Sequence, residues 1–331
     1  MTQTPIRPQT GRPAPLPAPG YHLVHRPDSL EGLMSGTTAA VPQEFGISVP
    51  LVVDHPVRNE GSRRHELHGP VETLRQGALF VAHRYFRVPA ERPVVFAATE
   101  LTVTEPDAWL RGPDGSGHLE MDLLLEPADV VGGVPRGLEC RADLRIDGRD
   151  CGRATARLVF LMPKVYQNHR QRGRVLSRAD VRQGPQVMAR SDRPQPSEVG
   201  RVDPADVVIG HGGIDEDDTL TVQVLTEPGH PLHAGGATDH VPSAVLLEAS
   251  RQTAFWHAAS LGGFVPADCL LTEWAASFQG FAEPDLPLHC TSTAGPAERD
   301  GEGRPLRRFT LVLTQGARQV GVIRTSVLQH C

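Results

Sequence analysis

One short phrase occurs twice in this chain. Glu72-Thr73-Leu74-Arg75-Gln76 returns as Glu248-Ala249-Ser250-Arg251-Gln252. The shared Glu, Arg and Gln each recur 176 positions on, a little over half of a 331-residue chain. A constant offset of that size marks a duplicated domain, so the element that carries the first phrase should be built again in the second half. Both copies lie in apolar stretches of helical period. Val71, Leu74, Ala78, Val81, Ala82 and Tyr85 mark a helix over residues 71–86, and a second runs from Val245 to Ala259, stopped by Gly262-Gly263. Both helices read as largely buried, where a carboxylate and a guanidinium need a reason to be present.

Strand signals surround each helix in the same order. In the first half, residues 47–53 precede the helix, and 94–103, 118–125, 138–146 and 154–162 follow it. Leu138 to Ile146 alternates apolar and charged residues, the period of a half-buried strand, and Asp147-Gly148 is a hairpin turn signal. In the second half, residues 219–225 precede the helix, and 269–278, 286–293, 306–314 and 319–328 follow it. Strand, loop, one long apolar helix and about four antiparallel strands form the hot-dog arrangement. The expected fold is therefore α+β: a tandem hot-dog, with two long apolar helices each wrapped by an antiparallel sheet, forming a pseudo-dimer within one chain. The expected divisions are a disordered Pro-rich tail (1–20), an N-terminal repeat (21–165), a linker (166–204) and a C-terminal repeat (205–331). The linker boundary rests on a stretch rich in Arg, Gln, Pro and Ser with few large apolar residues.

Composition narrows the chemistry. A net charge of −6 gives no reason to expect nucleic acid or an anionic membrane as a partner. No apolar run approaches the ~20 residues of a membrane-spanning helix, and the N-terminus lacks the apolar core of a signal peptide. The five cysteines are scattered, with no C-x-x-C spacing, which fits reduced thiols in the cytoplasm. Lys164 is the only lysine, which disfavours Schiff-base chemistry. No H-E-x-x-H pattern, phosphate-binding glycine loop or G-x-S-x-G elbow occurs, so neither a metal nor a cofactor is expected.

Glu72, Arg75 and Gln76 share one helix face, as do Glu248, Arg251 and Gln252. On an exposed helix this spacing is a routine ion pair worth about 0.2–0.5 kcal/mol. In a desolvated setting the Glu can serve as a general base, the Arg can hold a phosphate or carboxylate, and the Gln can orient a carbonyl. Histidines cluster ahead of both helices: His55, His65 and His68, then His230, His233 and His240. Each is individually more suited to a loop or turn than to a site, but His230 and His240 are candidate substrate contacts.

The stretch from Asp239 to Gln252, DHVPSAVLLEASRQ, resembles the second-half motif of the A-factor biosynthesis proteins, the AfsA-like γ-butyrolactone synthases. Glu72 to Gln76 is similar to their first-half motif, and Val24-His25-Arg26 fits the family's opening. Ser243 stands where the family would carry Gly, and His230-Pro231 lacks the usual aromatic pair after it. The resemblance implies a tandem hot-dog acyltransferase. Such an enzyme moves a β-ketoacyl group from acyl carrier protein to dihydroxyacetone phosphate, toward a diffusible signal that controls antibiotic production. It places Glu248, Arg251 and Glu72 in the catalytic set, with Arg75, Gln76, Gln252, His230 and His240 around the substrate. Glu248 is the expected base and Arg251 the phosphate or oxyanion contact. Two alternatives remain open: dehydratase or thioesterase action on acyl thioesters, with His230 or His233 paired to Glu248, and non-catalytic binding of a lactone.

Overall fold

A computed structural model describes residues 22–26, 41–51, 63–112, 115–183, 192–225, 230–233 and 239–330. The expectations for the N-terminal tail and for the loop around His55 lie outside these residues.

Twelve strands form one antiparallel sheet. In chain order they are β1 (His22–Arg26), β2 (Gln43–Pro50), β3 (Val94–Val103), β4 (His118–Ala128), β5 (Gly137–Ile146), β6 (Arg149–Phe160), β7 (Gly213–Ile214), β8 (Thr219–Val224), β9 (Cys269–Phe278), β10 (Leu288–Arg299), β11 (Pro305–Gln315) and β12 (Arg318–Gln329). Among the described residues three α-helices accompany them: α1 (His68–Arg84), α2 (Pro163–Gln183) and α3 (Ser243–Gly262). The spatial strand order is β1-β2-β4-β5-β6-β3-β9-β12-β11-β10-β8-β7. Adding six to each label of the first half gives the second half in mirror order, so the duplication seen in the sequence is present in the topology. The halves meet where β3 pairs with β9, with Leu101 opposite Trp274.

Local sequence accounts for these elements. Along β5, Leu138, Cys140, Ala142 and Leu144 are buried while Glu139, Arg141 and Asp143 are exposed. The β5–β6 hairpin turns at Asp147 and Gly148, both with positive φ (51° and 76°), as a two-residue turn of matching twist requires. Helix α3 ends at Gly263, whose φ of 66° supplies the left-handed cap; its N–H donates to the carbonyl of Ala259.

The two core helices differ. In α3, thirteen of the fourteen residues from Val245 to Ala258 are buried, all but Trp256. Helix α1 is one-sided: Leu74, Ala78, Val81 and Ala82 face the sheet, whereas Phe80 and Tyr85 are exposed. It lies so close to β2 that a Cβ on Gly77 would come within 2.5 Å of Ile47 Cδ1. The expectation of two long apolar helices thus holds for α3 and is corrected for α1, whose outer face mixes Phe80 with polar side chains.

The expected linker also needs correction. Residues 163–183 form helix α2, which grips the sheet through small residues and charges instead of an apolar stripe. Arg318 lies against Gly173 and bonds Ser177. Arg170 binds the buried carboxylate of Glu283 with two hydrogen bonds, of 2.6 and 3.0 Å. Among the described residues no helix is long and apolar enough to cross a membrane.

Candidate functional site

Glu248 lies in the middle of α3 with 0% of its side chain exposed. Its carboxylate is held from three directions. Arg201 donates from Nε at 2.8 Å and Nη2 at 2.5 Å. Arg251 donates from Nε and Nη2, both at 3.0 Å. Gln252 bonds the same carboxylate, and His68 Nε2 lies 3.3 Å from it. Burial alone would raise the pKa of Glu248, but Arg201, then Arg251 and His68, overcome this and hold it well below the ordinary carboxylate value.

A second carboxylate completes the cluster. Glu66 precedes α1 and accepts from Arg201 Nη1 at 2.8 Å and Nη2 at 3.1 Å. Arg251 Nη1 lies 3.8 Å away and His68 Nδ1 3.7 Å away. Burial would raise its pKa too, yet Arg201 and Arg251 bring it down to about 2. Arg201 is itself raised above its ordinary value, because Glu248 and Glu66 outweigh the effect of burial. Two carboxylates and two guanidiniums therefore stay ionised together, which satisfies the condition for burying charge.

The segment between α2 and β7 delivers Arg201 and ties down the rest of the repeated phrase. Arg251 Nη2 donates to Val199 O at 3.1 Å. Gln252 donates to Asp206 O at 2.7 Å and accepts from Val208 N at 3.0 Å. The second E-x-x-R-Q is thus the receptor for residues 199–208, with each of its polar side chains bonded to that segment. Upstream, Asp239 anchors α2: it accepts from Tyr166 and Arg170, and its carboxylate lies 2.6 Å from His240 Nδ1.

A cavity of about 230 Å³ opens beside the cluster. Arg64, Glu66, Arg201 and Arg251 form its polar wall; Leu67, Phe255, Leu270 and Leu271 are among its apolar residues. The Phe255 ring lies 4.8 Å under the Arg251 guanidinium and fixes its plane. Cys269 also borders the space, but burial pushes its thiol up to about 12, so it stays protonated and is no nucleophile at neutral pH. Glu66 is 17% exposed and lines the cavity, whereas Glu248 does not.

The remaining candidates lie elsewhere. Glu72 and Arg75 are 39% and 36% exposed and pair with each other on the outer face of α1 at 2.5 Å, with Gln76 bonded to Glu72. None of the three borders the cavity. The expected burial of this first copy is therefore corrected: Glu72 and Arg75 are both more than a third exposed. His230 bonds Ala205 O and the N–H of Leu232, which shapes a turn, and His240 packs on Phe281. The histidine beside Glu248 is His68, not His230 or His233.

Arg201, Glu66 and His68 were not selected from the sequence. For Arg201 a signal exists: Val24 and Arg26 recur as Val199 and Arg201, 175 positions on. Glu66, His68 and Glu248 bring ligand atoms within 4.8 Å of one another, the spacing of a cation site. Arg201 and Arg251 already supply two positive charges there, so a divalent ion would have to displace them, and the donor set does not fit a metal.

The sheet topology is that of a known class, the hot-dog proteins. The chain belongs to the A-factor biosynthesis hotdog domain family, whose profile matches residues 9–162 and 186–329. It is similar to a 2-oxo-3-(phosphooxy)propyl 3-oxoalkanoate synthase of Streptomyces coelicolor, 28% identical over 88% of this chain and 86% of that protein. It is also similar to a synthase of the same name from Streptomyces virginiae, 25% identical over 85% of this chain and 88% of that one. Among solved structures, a 12:0-ACP thioesterase from Umbellularia californica aligns over 91% of this chain and 98% of its own, at 11% identity and a TM-score of 0.49.

Proposed function

We propose that this protein is an acyltransferase that condenses a β-ketoacyl thioester, carried by acyl carrier protein, with dihydroxyacetone phosphate. The product would start a γ-butyrolactone-type signal controlling secondary metabolism. The names of the two Streptomyces relatives describe synthases of such an ester. The observation that carries the reading is the cavity, where guanidiniums and one carboxylate face apolar side chains. An anionic polyol and an acyl chain need those two surfaces side by side.

In this reading the repeats, 21–165 and 205–331, form a tandem pseudo-dimer with one composite site. The primary hydroxyl attacks the thioester carbonyl; a C–O bond forms, the C–S bond breaks, and the hydroxyl proton ends on the departing thiol. Glu66, which faces the cavity, takes that proton first. A carboxylate of low pKa serves as base only in concert with C–O bond formation, as the hydroxyl becomes acidic. Arg251 Nη1 steadies the developing oxyanion or the phosphate. Glu248 passes from the expected base to a positioning role: it lies outside the cavity, five donor atoms bond its two oxygens, and His68 Nε2 lies 3.3 Å away. A cytoplasmic location suits this partner, and the free, buried Cys140, Cys151, Cys269 and Cys290 support it.

Mass spectrometry of a 3-oxoacyl thioester incubated with dihydroxyacetone phosphate tests the reaction. The ester mass should appear only when both are present, and Glu66→Gln should abolish it. Hydrolysis to the free acid, indifferent to the triose, would turn the assignment to a thioesterase. A second reading, dehydratase action, has one observation in its favour: His68 and Glu248 form a histidine–carboxylate pair drawn from opposite halves. Loss of water from a 3-hydroxyacyl thioester would establish it.

A further inference from the structure

His65 is a polar side chain of the cavity wall that the ion pairs leave unused. It lines the space and is 4% exposed. Its backbone is fixed: the His65 N–H donates to Trp109 O at 2.8 Å, and Arg111 N donates to Arg63 O at 2.9 Å. Trp109 is fully buried and bonded to Cys151 O at 3.0 Å, so this anchor is rigid. The ring is fixed as well, because its Nε2–Cε1 edge lies against Gly117. A Cβ on Gly117 would collide with Nε2 and lie 2.6 Å from Cε1. Gly117 does not have a positive φ, so the ring, and not the backbone, accounts for a glycine there.

This placement costs the fold free energy. Nε2 is buried without a hydrogen-bond partner. Nδ1 has no partner among the described residues either, but it is not sealed off as Nε2 is. A phenylalanine would fill the same volume without burying an unsatisfied polar atom. The imidazole therefore does nothing for stability that an apolar ring could not do. Burial and Arg111 press its pKa down to about 4 against the weaker pull of Asp147, so the ring is neutral at physiological pH. A neutral imidazole carries one N–H and one bare nitrogen. A proton on Nε2 would be a buried donor with nothing to meet, and such orphan donors are rarer than unfilled acceptors. The proton belongs on Nδ1. His233 and His289 also bury an unpartnered Nε2, but neither borders the cavity.

We propose that His65 is a substrate-orienting contact, with Nδ1–H donating a hydrogen bond to a carbonyl oxygen of a molecule held in the cavity. This rests on the acyl-transfer reading above, in which two carbonyls qualify: the ketone of dihydroxyacetone phosphate and the carbonyl of the thioester. The guanidiniums in the wall suit anionic oxygens, whereas an uncharged donor suits an uncharged acceptor. A neutral imidazole can polarise a carbonyl while keeping its proton. No bond is made or broken at His65.

His65→Phe keeps the bulk of the ring and removes both nitrogens. Two pairs of probes, each differing at one carbonyl, read the loss. One pair is dihydroxyacetone phosphate and glycerol 3-phosphate; the other is a 3-oxoacyl thioester and the matching thioether, which lacks the thioester carbonyl. In calorimetric titrations the wild type should prefer the carbonyl member of one pair by about tenfold, the size of one neutral hydrogen bond. His65→Phe should lose that preference without a fall in melting temperature, and the pair that responds identifies the carbonyl. Gly117→Ala, which displaces the ring and changes no polar group, should lose it too. Wild type that prefers neither carbonyl, or a folded His65→Phe variant with wild-type preferences, overturns the contact. Where His65→Phe does not fold, nitrogen-15 spectra of the wild-type imidazoles decide. A proton on Nδ1 of His65 whose resonance moves with one carbonyl probe, but not with its partner, supports the contact; a proton on Nε2, or no movement, overturns it. His65-dependent preference in a protein that makes no ester keeps the contact and removes the proposed reaction. Ester formation with His65-independent preferences does the reverse.

Discussion

The same phrase at two places should respond unequally to the same substitution. Glu248→Gln removes a charge from a site that water does not reach, where Arg201 and Arg251 each make two hydrogen bonds to it. Both arginines would then share Glu66 alone, leaving one buried positive charge uncompensated. Breaking a buried pair from one side costs about 3–5 kcal/mol. At roughly 2–4 °C per kcal/mol, the melting temperature should fall by about 10 °C. Glu72→Gln removes the matching charge from a pair that is more than a third exposed. Solvent screens such a pair, so its loss should cost no more than about 0.5 kcal/mol. Scanning calorimetry on the two variants, with circular dichroism to confirm the fold, measures both. Adding Arg201→Met to Glu248→Gln should recover part of the loss, because the stranded charge is removed with its partner. Equal melting temperatures for the two single variants would refute the assignment of buried and surface copies.

Acid should unfold the protein through the same cluster. Glu66 has a folded pKa of about 2 against 4.5 for a free side chain, and Glu248 is shifted in the same direction. The unfolded chain therefore binds more protons across that window. Their stabilisation is complete above the unfolded value and is lost as pH falls from about 5 toward 2; melting temperature against pH should show this slope, and Glu248→Gln should flatten it. Arg170→Met leaves the buried Glu283 with Arg174 as its remaining salt-bridge partner among the described residues and should cost about 3 kcal/mol. Hydrogen exchange should then show α2 opening before the sheet; protection equal to wild type would count against the anchoring role. Cys269, with its thiol pushed up to about 12, should resist iodoacetamide at pH 8 until the protein unfolds. Peptide mapping of alkylated protein would show prompt labelling there if the thiol were exposed.

Most of the sheet was legible because strands announce themselves locally. Alternation gives β5, β-branched runs give β3 and β12, and Asp-Gly gives the β5–β6 turn. Helix α3 was legible for a different reason, since a stretch apolar on every side has nowhere to go but inside. Helix α1 was misjudged because its apolar spacing describes one face and does not report what lies against the other. Helix α2 was taken for a linker because its docking uses Arg170, Gly173 and Ser177, residues whose composition is that of a solvated segment. The site was half legible. Glu248, Arg251 and Gln252 stand out because charge inside a wholly apolar helix is anomalous. Glu66 does not, and His68 shows only as one of a histidine cluster; the docking of α3 against the start of α1 gives both a role.

The buried charge cluster draws on both halves of the duplication. The halves join through β3 and β9, which brings the first turn of α1 against the middle of α3. Glu66 and His68 come from the first repeat, Glu248 and Arg251 from the second, and Arg201 from the segment between them. Arg201 neutralises one carboxylate from each repeat at once. Neither repeat balances this charge alone, so the cluster can assemble only when both repeats and the connecting segment are in place. The E-x-x-R-Q phrase on α3 is the part that receives that segment, and the phrase on α1 keeps the same side-chain pairing. What the repeat preserves is a helix-surface geometry; on α3 that geometry is covered by residues 199–208.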